Sequence, residues 1–187
     1  MNEEKNMLRK RMLQLRKNMP EEEKHEMSRR IAERLLDLEE FHSAHVVALY
    51  LSKKDEVDTW GVVEEAAHAE EVLLPIVKEG KLRFVYYEKN GEMKRGPYGI
   101  MEPVGEEFGG KGIDLMVVPL VAVDGRGNRL GMGKGYYDRY LRGEGPKPKV
   151  LVGLCFDFQV VGEVPAERHD VPINIIITNK ETIRVKR

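Results

Sequence analysis

The sequence predicts an α/β protein: a single three-layer α/β/α domain over residues 1–187, built on a mostly parallel, doubly wound sheet. Three observations predict it. A length of 187 residues suits one domain with a substantial core. Short apolar runs rich in β-forming residues alternate with segments of helical period. The strongest strand signal, residues 114–123, leads into a glycine-rich loop, as at the carboxyl ends of strands in open α/β sheets.

Taken in order, residues 3 to about 18 place Met7, Leu8, Met12 and Leu15 on one stripe of a helix. Lys5 and Arg9 are four apart and share another face of it. Pro20 ends this segment and can occupy the first turn of a second helix, reaching about Glu40. Glu21, Glu22 and Glu23 suit the positive end of its dipole. Residues 46–51 read as a buried strand, 52–58 as a polar turn and 60–70 as a helix. Residues 72–77 are strand-like, with Pro75 implying a bend or an edge. Residues 82–87 suggest another strand, and 88–112, rich in Gly and Pro, read mostly as loop. After 114–123 and the glycine loop, residues 136–141 start a helix and 143–148 turn. Residues 150–156 and 173–178 read as two further buried strands.

Composition narrows the function. Charged residues make up 34% of the chain but nearly cancel, leaving a net charge of -1. That balance argues against bulk binding to nucleic acid or membranes. Cys155 is the only cysteine, so neither an intrachain disulfide nor a Cys-rich zinc site is expected. Its apolar neighbours mark it as a small buried hydrophobe rather than a nucleophile. The charged start lacks the pattern of a signal peptide, and no run reaches the roughly 18 apolar residues of a membrane span. A soluble, cytoplasmic protein is expected.

The chemistry concentrates after residue 124. Gly125, Gly127, Gly131, Gly133 and Gly135 crowd the segment behind a buried strand. Glycines let backbone N–H groups turn inward around a phosphate, and a following helix aims more of them at the same anion. Arg126, Arg129, Lys134, Arg139, Arg142, Lys147 and Lys149 outnumber Asp138 and Glu144 across this stretch, which points to an anionic ligand. Lys134 is the natural point charge, and Arg129 could grip two oxygens as a fork. The loop is neither a Walker A motif nor a dinucleotide fingerprint: Gly135 follows Lys134 where Ser or Thr would help hold Mg²⁺. Asp138 is the nearest replacement. The competing reading is a glycine-rich β-turn with solvated basic residues.

Residues 128–138, Asn-Arg-Leu-Gly-Met-Gly-Lys-Gly-Tyr-Tyr-Asp, continuing through Leu141, resemble the signature of the 5-formyltetrahydrofolate cyclo-ligase family, also called methenyltetrahydrofolate synthetase. Residues 5–9, residues 50–56 and the pair His169 and Asp170 agree with it in the same order, so the resemblance spans essentially the whole chain. It implies ATP- and Mg²⁺-dependent closure of 5-formyltetrahydrofolate to 5,10-methenyltetrahydrofolate, with ADP and phosphate released. It further implies ATP contacts from Lys5, Arg9, Arg129, Gly131, Gly133, Lys134, Gly135, Tyr136 and Tyr137. Lys134, Arg129 and Tyr136 would carry the catalysis, Asp138 and Asp170 would hold Mg²⁺, and Leu51, Glu56, Met132 and Tyr136 would contact the folate. A monomer is expected.

Each role has a plainer counterpart. Lys5 and Arg9 could pair with Glu3 and Glu4 in solvent. Glu56 could be a turn residue, Tyr136 a core residue, and Asp170, ahead of Val171 and Pro172, a turn-former. His169 is tempting as a base but reads better as structural. Trp60 is expected in the core. Two other classes also stay open: a phosphosugar isomerase-like or CoA-transferase-like enzyme, and a folate- or nucleotide-binding protein without turnover.

Overall fold

The computed structural model describes residues 2–66, 69–110, 112–167 and 170–186. In chain order it contains helices α1 (Asn2–Asn18), α2 (Glu21–Leu36) and α3 (Glu39–His42), strand β1 (Val46–Ala48), and helix α4 (Trp60–Glu65). Strands β2 (Glu71–Lys78), β3 (Lys81–Tyr86), β4 (Met93–Arg95), β5 (Met101–Pro103), β6 (Ile113–Val118), β7 (Ala122–Asp124) and β8 (Arg129–Leu130) follow. Helix α5 (Tyr136–Arg139) precedes β9 (Pro148–Leu154), β10 (Val160–Val161), β11 (Ile175–Ile177) and β12 (Thr182–Arg184).

Seven strands form the central sheet in the order β12-β11-β9-β6-β1-β2-β3. Neighbours from β11 to β2 run parallel, while β3 and β12 are antiparallel edges. The chain starts at β1, winds outward through β2 and β3, then returns to β6 on the other side. This is the doubly wound pattern, and its switch point lies between β1 and β6. Alternation along β6 sends Leu115 and Val117 into one core and Met116 and Val118 into the other. Ile31, Leu35, Phe41 and Val62 from α2, α3 and α4 complete the first core. The second is covered more thinly, by Tyr140 and Leu141 of a wide turn that follows the four-residue α5.

Several boundaries depart from expectation for physical reasons. The second helix stops at Leu36, where Asp37 caps it and donates its N–H to Glu33 O and Leu35 O, and α3 is a separate turn. The apolar run 114–123 is two strands, because Pro119 has no N–H to continue the ladder. Residues 122–124 instead join a small sheet, β10-β7-β8, so the glycine loop springs from there. Residues 88–112 contain the β4–β5 hairpin rather than loop alone. Pro75 sits in β2, between β1 and β3, not on an outer strand; β1 pairs only with Glu71, Val72 and Leu73, so Pro75 lies where that side of β2 is open.

The N-terminal helix is rotated from its expected stripe. Its inward face is Lys5, Leu8, Arg9, Met12, Leu13 and Arg16, while Met7 is 62% and Leu15 43% exposed. Lys5 and Arg9 thus share the face of Leu8 and Met12 instead of lying opposite. The apolar patch beneath them is small: Met12 clusters with Val121, Ala122, Leu130 and Val164, and Leu8 and Leu13 pack against its edge.

Asp124 fixes the base of the glycine loop. Its side chain is fully buried; Oδ1 accepts the N–H groups of Arg126 at 2.9 Å and Asn128 at 3.1 Å. Oδ2 accepts Asn128 Nδ2 at 2.9 Å and the Val164 N–H at 3.0 Å. Gly127 takes φ +82, and a Cβ there would meet Ile173 O at 2.4 Å. The Ile173 N–H donates to Gly127 O at 2.9 Å, tying the hairpin to the segment that leads into β11.

Burial pushes the Asp124 pKa up, but these donated hydrogen bonds outweigh it and hold the carboxyl below its usual range. Its stabilisation is therefore full above the unfolded pKa of about 3.9 and is lost as pH falls through the folded value. Asp124→Asn is expected to lower stability by about 1–3 kcal/mol at neutral pH. Urea midpoints of the two proteins should draw together as pH falls below about 3.9; a gap that does not narrow on acidification would contradict this account.

Candidate active site

The chain leaves β1 through Tyr50 and Leu51, and leaves β6 through Pro119 and Leu120. These four residues border a cavity of about 350 Å³ at the switch point of the sheet. Ligands of open α/β sheets bind at this place. Every residue assigned a role from the sequence borders the same cavity: Lys5, Arg9, Leu51, Glu56, Arg129, Gly131, Met132, Gly133, Lys134, Gly135, Tyr136, Tyr137, Asp138 and Asp170. They come from α1, the turn after β1, β8 and the loop that follows it, α5 and the segment before β11. Leu51, Pro75, Ile76, Leu82, Pro97 and Ile100 supply an apolar part of the wall.

Arg129 is the most enclosed cation here, its side chain only 4% exposed. Nη2 donates to Asp138 Oδ1 at 2.6 Å and Nη1 to Val171 O at 3.2 Å, so both arms of the fork are already engaged. Burial pushes its pKa down, with Asp138 and Asp170 opposing. An arginine remains charged under such a shift.

Lys5 and Arg9 point inward from α1. Lys5 Nζ lies 3.3 Å from Glu167 Oε1 and 3.9 Å from Asp170 Oδ2, rather than pairing with Glu3 or Glu4. Arg9 Nε donates to Gly131 O at 2.9 Å. The Arg9 guanidinium lies beside Gly133, where an added Cβ would be 3.5 Å from Cζ. Gly133 and Gly135 have φ +91 and +68, a conformation that favours glycine. This geometry lets the loop turn between α1 and α5.

Asp138 and Asp170 both border the cavity, but each already has cationic neighbours. Asp170 Oδ1 accepts Arg142 Nη2 at 3.0 Å, and Oδ2 accepts the Glu167 N–H at 2.9 Å, the turn-forming bond its position suggested. Among the described residues no group of three or more His, Cys, Asp or Glu is placed to hold a metal. Two hard carboxylates fit Mg²⁺ in its usual manner, where substrate phosphates and water complete the shell. His169 lies outside the described residues.

On the folate-facing side expected from the sequence, Glu56 is 8% exposed. Its Oε2 accepts the Lys53 N–H at 2.9 Å, and Oε1 lies 3.8 Å from Arg16 Nη2. Tyr136 carries the Arg139 guanidinium 5.1 Å from its ring centroid, so one face of the ring has a cation near it. Burial, reinforced by Glu56, pushes the Tyr137 and Tyr50 hydroxyl pKa values up and keeps both protonated.

Two expectations need correcting. The basic excess after residue 124 does not all face the cavity: Arg126 pairs with Glu163 at 2.8 Å and Lys149 with Asp114 at 2.6 Å, away from it. Trp60 is 42% exposed rather than in the core, because it opens α4 on the outer side. Cys155 is fully buried, and burial pushes its thiol pKa up, in keeping with a structural role.

Sequence reasoning missed Arg16, although it continues the Lys5–Arg9 face of α1. Its side chain is 2% exposed. Nε donates to Asp55 O at 2.8 Å, Nη2 to Asp55 Oδ2 at 2.7 Å, and Nη1 to Leu120 O at 3.4 Å. One guanidinium thus joins α1, the turn bearing Glu56 and the chain leaving β6. A charged residue at helical spacing inside an inward face was the available signal.

Fold and site together define a class: a doubly wound α/β enzyme whose switch-point cleft joins a basic, glycine-rich loop to an apolar wall. The model of the 5-formyltetrahydrofolate cyclo-ligase family matches residues 1–179. The chain belongs to that family, whose members are ligases of folate one-carbon metabolism.

The 5-formyltetrahydrofolate cyclo-ligase of Escherichia coli K12 is 33% identical over 172 residues, covering 88% of this chain and 94% of that protein. The Haemophilus influenzae enzyme of the same name is 33% identical over 91% of this chain and 95% of its own length. Among solved structures, the NMR structure of Aquifex aeolicus 5,10-methenyltetrahydrofolate synthetase superposes with a TM-score of 0.86 at 36% identity, covering 98% of this chain and 93% of that one. Among the described residues no helix is long and apolar enough to cross a membrane.

Replacing Arg16 by alanine removes the cation beside Glu56 and the donors to the Asp55 carbonyl and carboxylate, and one of the two donors to Leu120 O. Urea denaturation is expected to show a loss of about 3 kcal/mol. A loss within about 0.5 kcal/mol, the usual size for a surface substitution, would mean that Arg16 does not tie these elements together.

Proposed function

We propose that this chain closes 5-formyltetrahydrofolate to 5,10-methenyltetrahydrofolate, using ATP and Mg²⁺ and releasing ADP and phosphate. One observation carries the reading. A single cavity is lined both by Lys5, Arg9, Arg129 and Lys134 and by apolar residues such as Leu51, Ile76 and Ile100. The cationic part suits a triphosphate and the apolar part suits a pterin, so two dissimilar substrates can meet within one enclosure.

In this reading the formyl oxygen attacks the γ-phosphorus, the bond to the β–γ bridging oxygen breaks, and ADP leaves. The phosphorylated formyl carbon is then attacked by N10. Loss of the N10 proton and departure of phosphate complete the five-membered ring. Lys134 and Arg129 would offset charge spreading over the transferred phosphoryl group, with Lys5 and Arg9 aligning the triphosphate. Arg129 would exchange its hold on Asp138 or Val171 O for part of the nucleotide. Gly131, Gly133, Gly135 and Tyr137 would line the phosphate path, and Tyr136 would present its ring between the two substrates. Leu51, Met132 and Glu56 would contact the folate.

Asp138 and Asp170 would hold Mg²⁺, which supplies charge neutralisation at the phosphate oxygens when bound. No side-chain nucleophile is needed, which agrees with the inert setting of Cys155. The balanced charge and the one-carbon chemistry support a cytoplasmic setting.

Mixing the protein with 5-formyltetrahydrofolate, ATP and Mg²⁺ should produce the methenyl chromophore, and omitting ATP should abolish it. Lys134→Ala is expected to lower kcat/KM by about 10²–10³-fold with little change in melting temperature, since this side chain is exposed. Turnover that persists without ATP would overturn the reading. Asp170→Asn should raise the Mg²⁺ concentration needed for half-maximal rate; an unaltered Mg²⁺ dependence would remove Asp170 from the metal site.

A further inference from the structure

Glu102 is a carboxylate in the cavity wall that the reaction above does not use. It belongs to β5 and is 6% exposed. Its one hydrogen bond among the described residues comes from the Val77 N–H to Oε1, at 2.9 Å. That donor exists because β1 pairs with β2 only as far as Leu73, leaving the outer side of Val77 without a ladder partner. The backbone of Gly96 closes over the carboxyl: an added Cβ there would fall 2.3 Å from Glu102 Cδ.

A neutral amide would serve Val77 equally well. A buried carboxylate costs more, because it gives up solvation and here gains no cation in return. Glu102 makes no ion pair among the described residues, and Lys94, opposite it in the β4–β5 register, is exposed. The neighbouring wall is apolar: Pro75, Ile76, Leu82 and Ile100 border the same cavity. Among the described residues, Oε2 and the second lone pair of Oε1 therefore have acceptor capacity left unused. Glu56 differs, since Lys53 N–H and Arg16 already address its two oxygens.

We infer that Glu102 recognises a paired N–H donor edge of the bound ligand, which on the reading proposed above is the 2-amino and N3–H edge of the pterin. A carboxylate accepts two parallel N–H bonds from such an edge, in the way it accepts a guanidinium. Glu102 is then a specificity residue: it selects a 2-aminopterin over a ring without the amino group, and it takes no part in phosphoryl transfer.

Glu102→Gln keeps the shape and the acceptor for Val77 but removes the charge. Its KM for 5-formyltetrahydrofolate is expected to rise by about tenfold to a hundredfold, with the KM for ATP unchanged. A 2-desamino analogue of the substrate gives a second arm. The wild type should discriminate against it by a similar factor, and Glu102→Gln should lose most of that discrimination. A folate KM equal to wild type in a folded variant overturns the inference, as does wild-type indifference to the analogue, which is readable even if the variant fails to fold. Absence of wild-type turnover with the parent substrate would instead overturn the proposed reaction, so the two failures are separable.

Discussion

The buried carboxylate of Asp124 is the constraint on which the site depends. The β7–β8 hairpin is short, and its turn has little apolar area of its own to hold it. Four donors converge on one side chain there, three from the turn itself and one from Val164. An acceptor-only group with several lone pairs can satisfy all of them at once, which a hydroxyl cannot. The position of Arg129 follows, and so does the direction in which the loop leaves β8. Gly127 adds the second fixed point, because only a residue without Cβ lets Ile173 approach so closely.

A division of labour follows from this anchoring. The parallel strands set the floor of the cleft and bury most of the apolar surface. The polar rim is held by long-range hydrogen bonds from a few arginines: Arg9 to the glycine loop, Arg16 to the turn after β1, and Arg129 to the segment before β11. Guanidinium suits this work, since its several donors have fixed directions and can join separate carbonyls. The rim is thereby ordered without a large hydrophobic contact, and the cavity remains open to polar ligands.

Much of this was legible in the sequence, and the reasons differ by element. The buried strands showed as apolar runs, because a parallel sheet covered on both sides needs no alternation. The glycine loop showed because its backbone takes positive φ at Gly127, Gly133 and Gly135, which restricts residue type at those positions. Lys5 and Arg9 reached the site list only through family resemblance; helical spacing alone would have left them in solvent. Arg16 and Glu102 were illegible for a related reason. Each looks like a surface residue by type, and only the partners brought by distant segments make it an inside one. The split at Pro119 and the β4–β5 hairpin were missed because short strands in small sheets bury too little to leave a periodic signal. Likewise, the rotation of α1 reflects what it packs against, which its own sequence does not encode.

The contact between Lys5 and Glu167 spans 162 residues of sequence. During synthesis, Lys5 and Arg9 leave the ribosome long before the segment that faces them, so the cationic wall stands without its counterpart for most of translation. Contacts of such separation carry a high loop-closure cost and form late in folding. The cleft is consequently a feature of the finished chain: forms that end before this segment also lack β11 and the core residues Ile175, Ile176 and Ile177, and cannot assemble the pocket. A ligand that bridges α1 and the late segment would therefore act as a clasp, favouring the closed fold in proportion to its occupancy.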